Sequence, residues 1–140
     1  MSELMDINVG DALPEREHSA TNVSLFLYNA AVWNAHRIHY DESYTTEVEH
    51  HPGIVIDGPL QGDWMSQCAL NWMEGQSELL SFNYSNRRAA YLGEVLTTGG
   101  TVVDIDADSA VVSVELFVKN EVGEVISPGG ARLKILKLEP

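Results

Sequence analysis

The sequence predicts an α+β fold in which helices come first and an antiparallel sheet follows. Three observations lead to this prediction: one segment with a wide apolar helical face, four strand-like runs after residue 76, and no comparable strand pattern before it. The length of 140 residues and the hydrophobic content of 44% fit one domain, residues 1–140, with a sizeable core.

The first predicted helix begins near residue 21, where Thr21 or Asn22 can cap it. A second and clearer helix is predicted to begin at Asp57-Gly58-Pro59, which supplies a cap, a permissive backbone and a proline in the first turn. Gly75 follows the second helix as a stop signal.

Apolar residues are spaced for one face on each of these helices. On the first helix they are Val23, Phe26, Leu27, Ala30 and Ala31. On the second they are Leu60, Trp64, Met65, Cys68, Ala69, Trp72 and Met73. The second face is wider than a surface helix needs, so we expect other elements to surround it.

Strands are predicted in the second half, where alternating or β-branched runs are separated by turn residues. The runs are Leu80–Tyr84, Val95–Val103, Ala110–Lys119 and Ala131–Leu138. The predicted turns are Gly99-Gly100, Asp104–Ser109, Asn120–Gly123 and Ser127–Gly130. One strand has a uniformly aliphatic face, made by Val112, Val114, Leu116 and Val118.

The charge balance excludes several classes of function. A net charge of −13 argues against nucleic acid and against an anionic membrane surface, because both need clustered Lys and Arg.

No apolar run is long enough to cross a bilayer, and residues 1–18 lack the basic and apolar regions of a signal peptide. The single cysteine, Cys68, excludes an intramolecular disulfide and suits a reducing compartment. We therefore expect a cytosolic protein.

Two segments carry the chemistry: residues 34–41, with the sequence NAHRIHYD, and residues 51–60, with the sequence HPGIVIDGPL. Here the chain resembles the MaoC-like hydratases, and most closely their hydroxyacyl-thioester dehydratase branch, which includes mesaconyl-CoA hydratase-like proteins. The resemblance continues through residues 82–84 and 91–94 and into a late hairpin at 118–125, so it covers roughly positions 20 to 138. It implies a hotdog fold, a curved antiparallel sheet wrapped around a central helix.

The resemblance also implies residue roles in adding or removing water across the α,β double bond of an acyl thioester. His39 matches the family's catalytic histidine, the general base or acid, and Asn34 matches the asparagine of the same signature. Gly58 matches the glycine whose backbone N–H holds the thioester oxygen, and Ser66 matches a serine that supports the active-site hydrogen bonds.

The sequence departs from the family pattern at several positions. Val32 stands where R-hydratases have an aspartate, and Asp57 stands where this branch normally has a histidine. Ser85 and Ala89 replace an arginine and a proline. These differences indicate a divergent member.

Dehydration of a 3-hydroxyacyl thioester needs a base with a pKa near neutrality, and an imidazole supplies one. Negative charge then develops on the thioester oxygen, where a backbone N–H at a helix start can stabilise it. The departing hydroxide needs a proton, or a water held by a second polar group. Asn34, Asp41 and Asp57 are the candidates, and the sequence does not choose among them.

Other polar residues have two interpretations each. Arg37 can contact a substrate phosphate or carboxylate, or it can brace Asp41 or a neighbouring subunit. Arg87 and Arg88 can bind a polyanionic ligand or belong to a solvated surface. The histidines at 36, 39, 50 and 51 could hold a metal, but no second group of ligands follows at a metal-site spacing, so neither metal nor cofactor is expected.

Three functions remain open. The first is a hydratase or dehydratase acting on acyl-CoA or acyl-carrier-protein thioesters, with CoA favoured because carrier proteins are also acidic. The second is a non-catalytic or half-catalytic acyl-binding subunit of a larger hotdog assembly, which Val32 and Asp57 suggest. The third is a thioesterase, since fold does not fix reaction. Under each, we expect a homodimer or a hetero-oligomer with another hotdog subunit, which would cover open sheet edges.

Overall fold

The structure, a computed structural model, describes residues 6–136. Its strands form one antiparallel sheet in the order β1-β3-β4-β5-β2. In chain order the elements are β1 (Ala12–Ser19), α1 (Asn22–Ala31), a short 3-10 helix (Arg37–His39), α2 (Glu42–Glu47), α3 (Gly58–Trp72), β2 (Ser77–Tyr84), β3 (Val95–Asp106), β4 (Val111–Lys119) and β5 (Val125–Ile135).

The sheet curves around α3, which contacts all five strands. Each strand pairing contains a register shift, and such irregularities bend and twist a sheet. The helix buries Met65, Cys68 and Ala69 against the sheet, while Trp64 and Trp72 pack at the edge of the core. The predicted α+β hotdog arrangement is therefore confirmed.

The predicted aliphatic face of β4 is confirmed, because all four of its residues are buried. Pairing with β3 on one side and β5 on the other makes β4 the central strand. Its aliphatic side chains face α3 across the core.

The first half contains a strand that the sequence did not predict. In β1, only Leu13 is buried, and the strand carries Glu15, Arg16, Glu17 and His18. It lies at one edge of the sheet and pairs with β3 alone. Charged residues on an edge strand prevent further pairing, and here they also hide the alternation on which strand prediction depends.

Two of the predicted turns are wrong, because their glycines lie inside strands. Gly99 and Gly100 belong to β3, and Gly129 and Gly130 belong to β5. A Cβ on Gly129 would lie 2.6 Å from the carbonyl oxygen of Asn83 on β2. These glycines therefore permit close approach of neighbouring chain segments rather than reversing the chain.

The two helices differ in how their apolar residues are used. Thr21 caps α1 as predicted, with the Ser24 N–H donating to its hydroxyl over 3.0 Å. The buried residues of α1 are Leu25 and Asn29, whereas Val23, Phe26 and Leu27 are 68%, 60% and 61% exposed. An apolar helical face normally faces a core, so the outward orientation of α1 needs a separate explanation.

Helix α3 begins and ends where the sequence predicts. Pro59 occupies the first turn, and Gly75 has a φ of +83° just after the helix. Asp57, however, makes no side-chain capping hydrogen bond, because its carboxylate is used elsewhere. No helix within residues 6–136 combines the length and the apolar character needed to cross a membrane.

Candidate active site

His39 ends the 3-10 helix and is only 8% exposed. Its Nδ1 lies 2.7 Å from the carbonyl oxygen of Val55. Since a carbonyl oxygen can only accept, Nδ1 carries the hydrogen of this bond. In the neutral imidazole, Nε2 is then the nitrogen with the free lone pair, so the ring is held in the form that can accept a proton at Nε2.

The backbone on both sides of this contact is fixed by hydrogen bonds. The Val55 N–H donates to the Ile38 carbonyl over 2.9 Å, and the Ile56 N–H donates to the Ala90 carbonyl over 2.8 Å. These bonds tie the segment before α3 to the 3-10 helix on one side and to the loop before β3 on the other. The orientation of the His39 ring is therefore set by packed backbone.

Asp57 lies immediately behind the His39 ring and has no exposed surface. Its Oδ1 is 3.4 Å from His39 Nδ1. The Nδ2 of Asn29 donates to Oδ1 over 3.0 Å, and the Nδ2 of Asn34 donates to Oδ2 over 3.2 Å. A buried carboxyl group needs such partners, and the two asparagines supply them from two separate segments.

Asn29 belongs to this site, and the sequence did not single it out. It is 4% exposed, and the same Nδ2 that binds Asp57 also donates to the Leu25 carbonyl over 2.8 Å. In the part of the chain that the structure describes, Asn29 Oδ1 accepts no hydrogen bond. The available signal was its position four residues after Leu25, which places a polar side chain on the same helical face as a buried leucine.

Gly58 starts α3 directly after Asp57, and within residues 6–136 no acceptor receives its backbone N–H. A Cβ at Gly58 would overlap the side chain of Asn86. Asn86 donates to the Ser127 hydroxyl over 2.9 Å, and Ser127 in turn donates to Gln61 Oε1 over 2.6 Å. A Cβ here would require the Asn86 side chain to move, and the hydrogen bonds from Asn86 through Ser127 to Gln61 brace the first turn of the helix.

Asp41 and Arg37 form an ion pair with each other. The guanidinium donates to Asp41 Oδ2 from Nε over 3.0 Å and from Nη2 over 2.7 Å. Asp41 also caps α2, with the Tyr44 N–H donating to Oδ1 over 3.1 Å. The hydrogen bond from Arg37 is the main cause that lowers the pKa of Asp41. Of the two interpretations of Arg37, the structure shows the contact with Asp41.

Ser66 lies two turns along α3 from Gly58. Its hydroxyl donates to the Asp63 carbonyl of the same helix over 2.9 Å. The structure therefore brings together Asn34, His39, Asp57 and the start of α3, and places Ser66 and Asp41 in contacts of their own.

Arg87 and Arg88 lie on the loop after β2 and follow Asn86, whose side chain contacts Gly58 at the start of α3. Arg88 pairs with Glu124, and both side chains of that pair are largely exposed. Arg87 forms no ion pair with any residue between 6 and 136. His51 lies near the Tyr91 hydroxyl, and no cluster of three metal-ligating side chains occurs among the described residues.

A cavity of about 240 Å³ lies against this cluster. Asn29 and Asn34, the two residues that bind Asp57, form one wall. The remaining lining is mostly apolar and comes from α1 and the segment after it: Phe26, Ala30, Trp33, Ala35 and Tyr40. Asn29 and Asn34 therefore both line the cavity and bind Asp57, whereas His39, Asp57 and Gly58 do not line it.

Comparisons with known proteins identify relatives of this chain. The family model for hydroxyacyl-thioester dehydratase type 2 matches residues 7–92. The chain is 53% identical over 36 residues to mesaconyl-C(4)-CoA hydratase of Chloroflexus aurantiacus. It is 42% identical over 40 residues to the mitochondrial hydroxyacyl-thioester dehydratase type 2 of Schizosaccharomyces pombe. These alignments cover 26% and 29% of this chain, and 13% of each relative.

The fold comparison extends over nearly the whole chain. R-hydratase PhaJ1 from Pseudomonas aeruginosa superimposes with a TM-score of 0.86 at 20% identity, covering 98% of this chain and 93% of that one. This similarity supports the hotdog fold, and the matched residues 7–92 contain His39, Asp57 and Gly58. The predicted resemblance is confirmed, and the chain belongs to the hydroxyacyl-thioester dehydratase type 2 family.

Proposed function

We propose that the protein is a hydro-lyase that adds water to, or removes water from, an enoyl or 3-hydroxyacyl thioester. The observation that carries this proposal is the His39 ring, whose Nδ1 is engaged by the Val55 carbonyl so that Nε2 remains for proton transfer. The ring stands beside Asp57, and the next residue, Gly58, presents its N–H at the start of α3. A base beside an oxyanion donor is the pair of groups that this reaction needs.

In the dehydration direction, His39 Nε2 takes a proton from the carbon next to the thioester carbonyl. The electron pair of that C–H bond forms the new double bond, and the C–O bond at the next carbon breaks. The leaving hydroxide takes the proton from Nε2 and departs as water. Hydration is the same sequence in reverse, so one imidazole serves as base and as acid.

The contacts of the other candidates support this assignment to His39. Asp41 is held by Arg37, which lowers its pKa and keeps it ionised, so it has no proton to donate. Asp57 has no exposed surface and cannot touch a departing oxygen. Asn34 lines the cavity and can hold a hydroxyl or water by hydrogen bonding, but an amide does not supply a proton.

Asp57 acts through His39 as a positioning residue. When Nε2 gains a proton the ring becomes a cation, and the carboxylate 3.4 Å from Nδ1 stabilises that charge. The effect is strong because the pair is shielded from water. The Gly58 N–H, aided by the positive end of the α3 dipole, receives the thioester oxygen as negative charge builds on it.

The surface charge bears on whether the thioester is a CoA or a carrier-protein thioester, and the open sheet edges bear on the oligomeric state. Arg87 is exposed, which is compatible with contact to a CoA phosphate, and the acidity of the chain disfavours an acidic carrier protein. Strands β1 and β2 leave the two edges of the sheet open within this chain, which favours a homodimer or a second hotdog subunit. A cytosolic location also stays a prediction.

The test measures hydration of crotonyl-CoA as the loss of the enoyl absorbance. It compares the unaltered protein with His39→Ala and His51→Ala. We expect His39→Ala to lower kcat/KM by about 100-fold or more, because the proton-transferring group is lost. His51 lies near Tyr91, outside the hydrogen-bonded cluster, so His51→Ala should retain activity. Undiminished hydration by His39→Ala would refute the mechanism, and no turnover of any enoyl-CoA would refute the proposed function.

A further inference from the structure

A second imidazole, that of His36, lies against the His39 ring. The two ring centroids are 5.9 Å apart, and the rings meet edge to face with an angle of 63° between their planes. The environments of the two rings differ, because His39 is buried and His36 is exposed. His36 is therefore a neighbour of His39 that a molecule arriving from solvent can contact.

The hydrogen bonds of the two rings leave complementary nitrogens. His36 Nδ1 accepts the Ile38 N–H over 3.4 Å and so caps the 3-10 helix. A neutral imidazole whose Nδ1 accepts a hydrogen bond carries its own hydrogen on Nε2. His39 has the opposite arrangement, since its Nδ1 donates to the Val55 carbonyl and its Nε2 has the lone pair. The pair therefore offers one N–H donor and one acceptor, which are the groups that can orient a hydroxyl or a water molecule.

The backbone at His36 is tied to Asp57 through Asn34. Asn34 Oδ1 accepts the His36 N–H over 3.1 Å, and Asn34 Nδ2 donates to Asp57 Oδ2 over 3.2 Å. The other carboxylate oxygen of Asp57 lies 3.4 Å from His39 Nδ1. One amide and one carboxylate thus link the two histidines, and a fixed geometry of this kind is what a pair of catalytic groups requires.

Neighbouring donors in the same segment are engaged within the protein. Arg37 donates to Asp41 from two of its nitrogens, and the Tyr40 hydroxyl donates to the Ala35 carbonyl over 3.1 Å. None of the described residues accepts a hydrogen bond from His36 Nε2. The Nε2–H of His36 therefore stays available to a ligand.

We propose that His36 is a second catalytic residue, whose Nε2–H holds the oxygen that is added or removed while His39 transfers the proton. The inference rests on the proposed function, because it assigns a further residue to the same reaction. In hydration, the water gives one proton to His39 Nε2 and accepts the His36 N–H. Its oxygen bonds to the β-carbon, the electron pair of the double bond moves to the α-carbon, and His39 delivers the proton there. His36 keeps its own hydrogen throughout, so the step needs no other acid or base.

The experiment compares two substitutions that each copy one nitrogen of the His36 ring. His36→Asn places an oxygen where Nδ1 accepts the Ile38 N–H, but its side chain is too short to put a donor at the position of Nε2. His36→Gln places an amide N–H near the position of Nε2 but lacks the capping acceptor. Hydration of crotonyl-CoA is measured for both variants, and urea unfolding shows whether each is folded. His51→Gln is the control, because His51 lies near Tyr91 and outside the hydrogen-bonded cluster.

We expect His36→Asn to lower kcat by about 10-fold or more, because the reacting oxygen loses a hydrogen-bond donor. His36→Gln should keep kcat within about 3-fold of the unaltered protein, although it loses the cap. His51→Gln should match the unaltered protein. Higher activity in His36→Asn than in His36→Gln would show that His36 only caps the 3-10 helix, and equal activity in the two variants would also overturn the inference. Either result leaves the proposed function standing as long as the unaltered protein hydrates crotonyl-CoA, whereas no turnover of any enoyl-CoA by the unaltered protein refutes both.

Discussion

Helices α1 and α3 both carry apolar residues at helical spacing, but they turn these residues in opposite directions. Helix α3 buries Met65, Cys68 and Ala69 inside the curved sheet. Helix α1 exposes Phe26 and Leu27 and buries Asn29 against Asp57. The core of the molecule packs around α3, whereas α1 contacts the candidate active site through Asn29.

This difference shows what the buried polar group in α1 contributes. A leucine at position 29 would suit the core, yet it would leave Asp57 Oδ1 without its amide donor. A buried oxygen without a donor costs about 1–3 kcal/mol, which is comparable to what burial of one apolar side chain contributes. The orientation of α1 therefore places Asn29 against Asp57 and Leu25 in the core, and leaves Phe26 and Leu27 exposed.

The largest expected effect is on stability, and it compares a buried residue of α3 with an exposed residue of α1. Met65 on α3 is fully buried and Leu27 on α1 is 61% exposed. We expect Met65→Ala to lower the free energy of unfolding by about 2–5 kcal/mol, because it opens a cavity between helix and sheet. Leu27→Ala should change it by less than about 0.5 kcal/mol. Urea unfolding of the two variants measures both, and similar losses would show that the face of α1 is buried in solution.

The sequence predicted α3 well because one physical rule governs that segment. Its apolar spacing, the proline at its start and Gly75 at its end all point to a buried helix, and the structure agrees. The aliphatic alternation in β4 follows the same logic. Periodicity predicts elements whose only task is to fill the core.

Prediction failed where a second requirement competes with burial. In β1 the charges that protect an edge strand hide its alternation, and in β5 the glycines that allow close approach to β2 resemble a turn. The motif singled out Asn34, His39, Asp57 and Gly58, but it did not single out Asn29, which contacts Asp57, or Asn86, which lies against Gly58. Their partners are 28 residues away in the chain, so only the tertiary structure shows the contacts.

The second prediction concerns the polar residue that α1 buries. We expect Asn29→Ala to lower the free energy of unfolding by about 1–3 kcal/mol, because Asp57 Oδ1 loses its donor inside the protein. Under the proposed mechanism, enoyl-CoA hydration should fall while KM changes little, because Asn29 contacts Asp57 and not the reacting atoms. Asn22→Ala, at the exposed first turn of the same helix, is the control. Unchanged kcat in Asn29→Ala would show that Asn29 does not position the catalytic group.

The smallest expected effect comes from Tyr28, an α1 residue that faces α3. Burial, followed by the charge of Asp63 on α3, raises the pKa of Tyr28 to about 12 from the ordinary value of 10.0. Because the folded protein resists ionisation of this phenol, the stability it contributes is fully present below pH 10 and is lost as the pH rises toward 12. Ultraviolet titration of the folded protein should show a component that ionises late, and Tyr28→Phe should reduce it. Tyr40→Phe, which alters a tyrosine away from Asp63, should leave the late component in place. A titration curve that is the same in Tyr28→Phe would mean that α1 does not rest on α3 at this position.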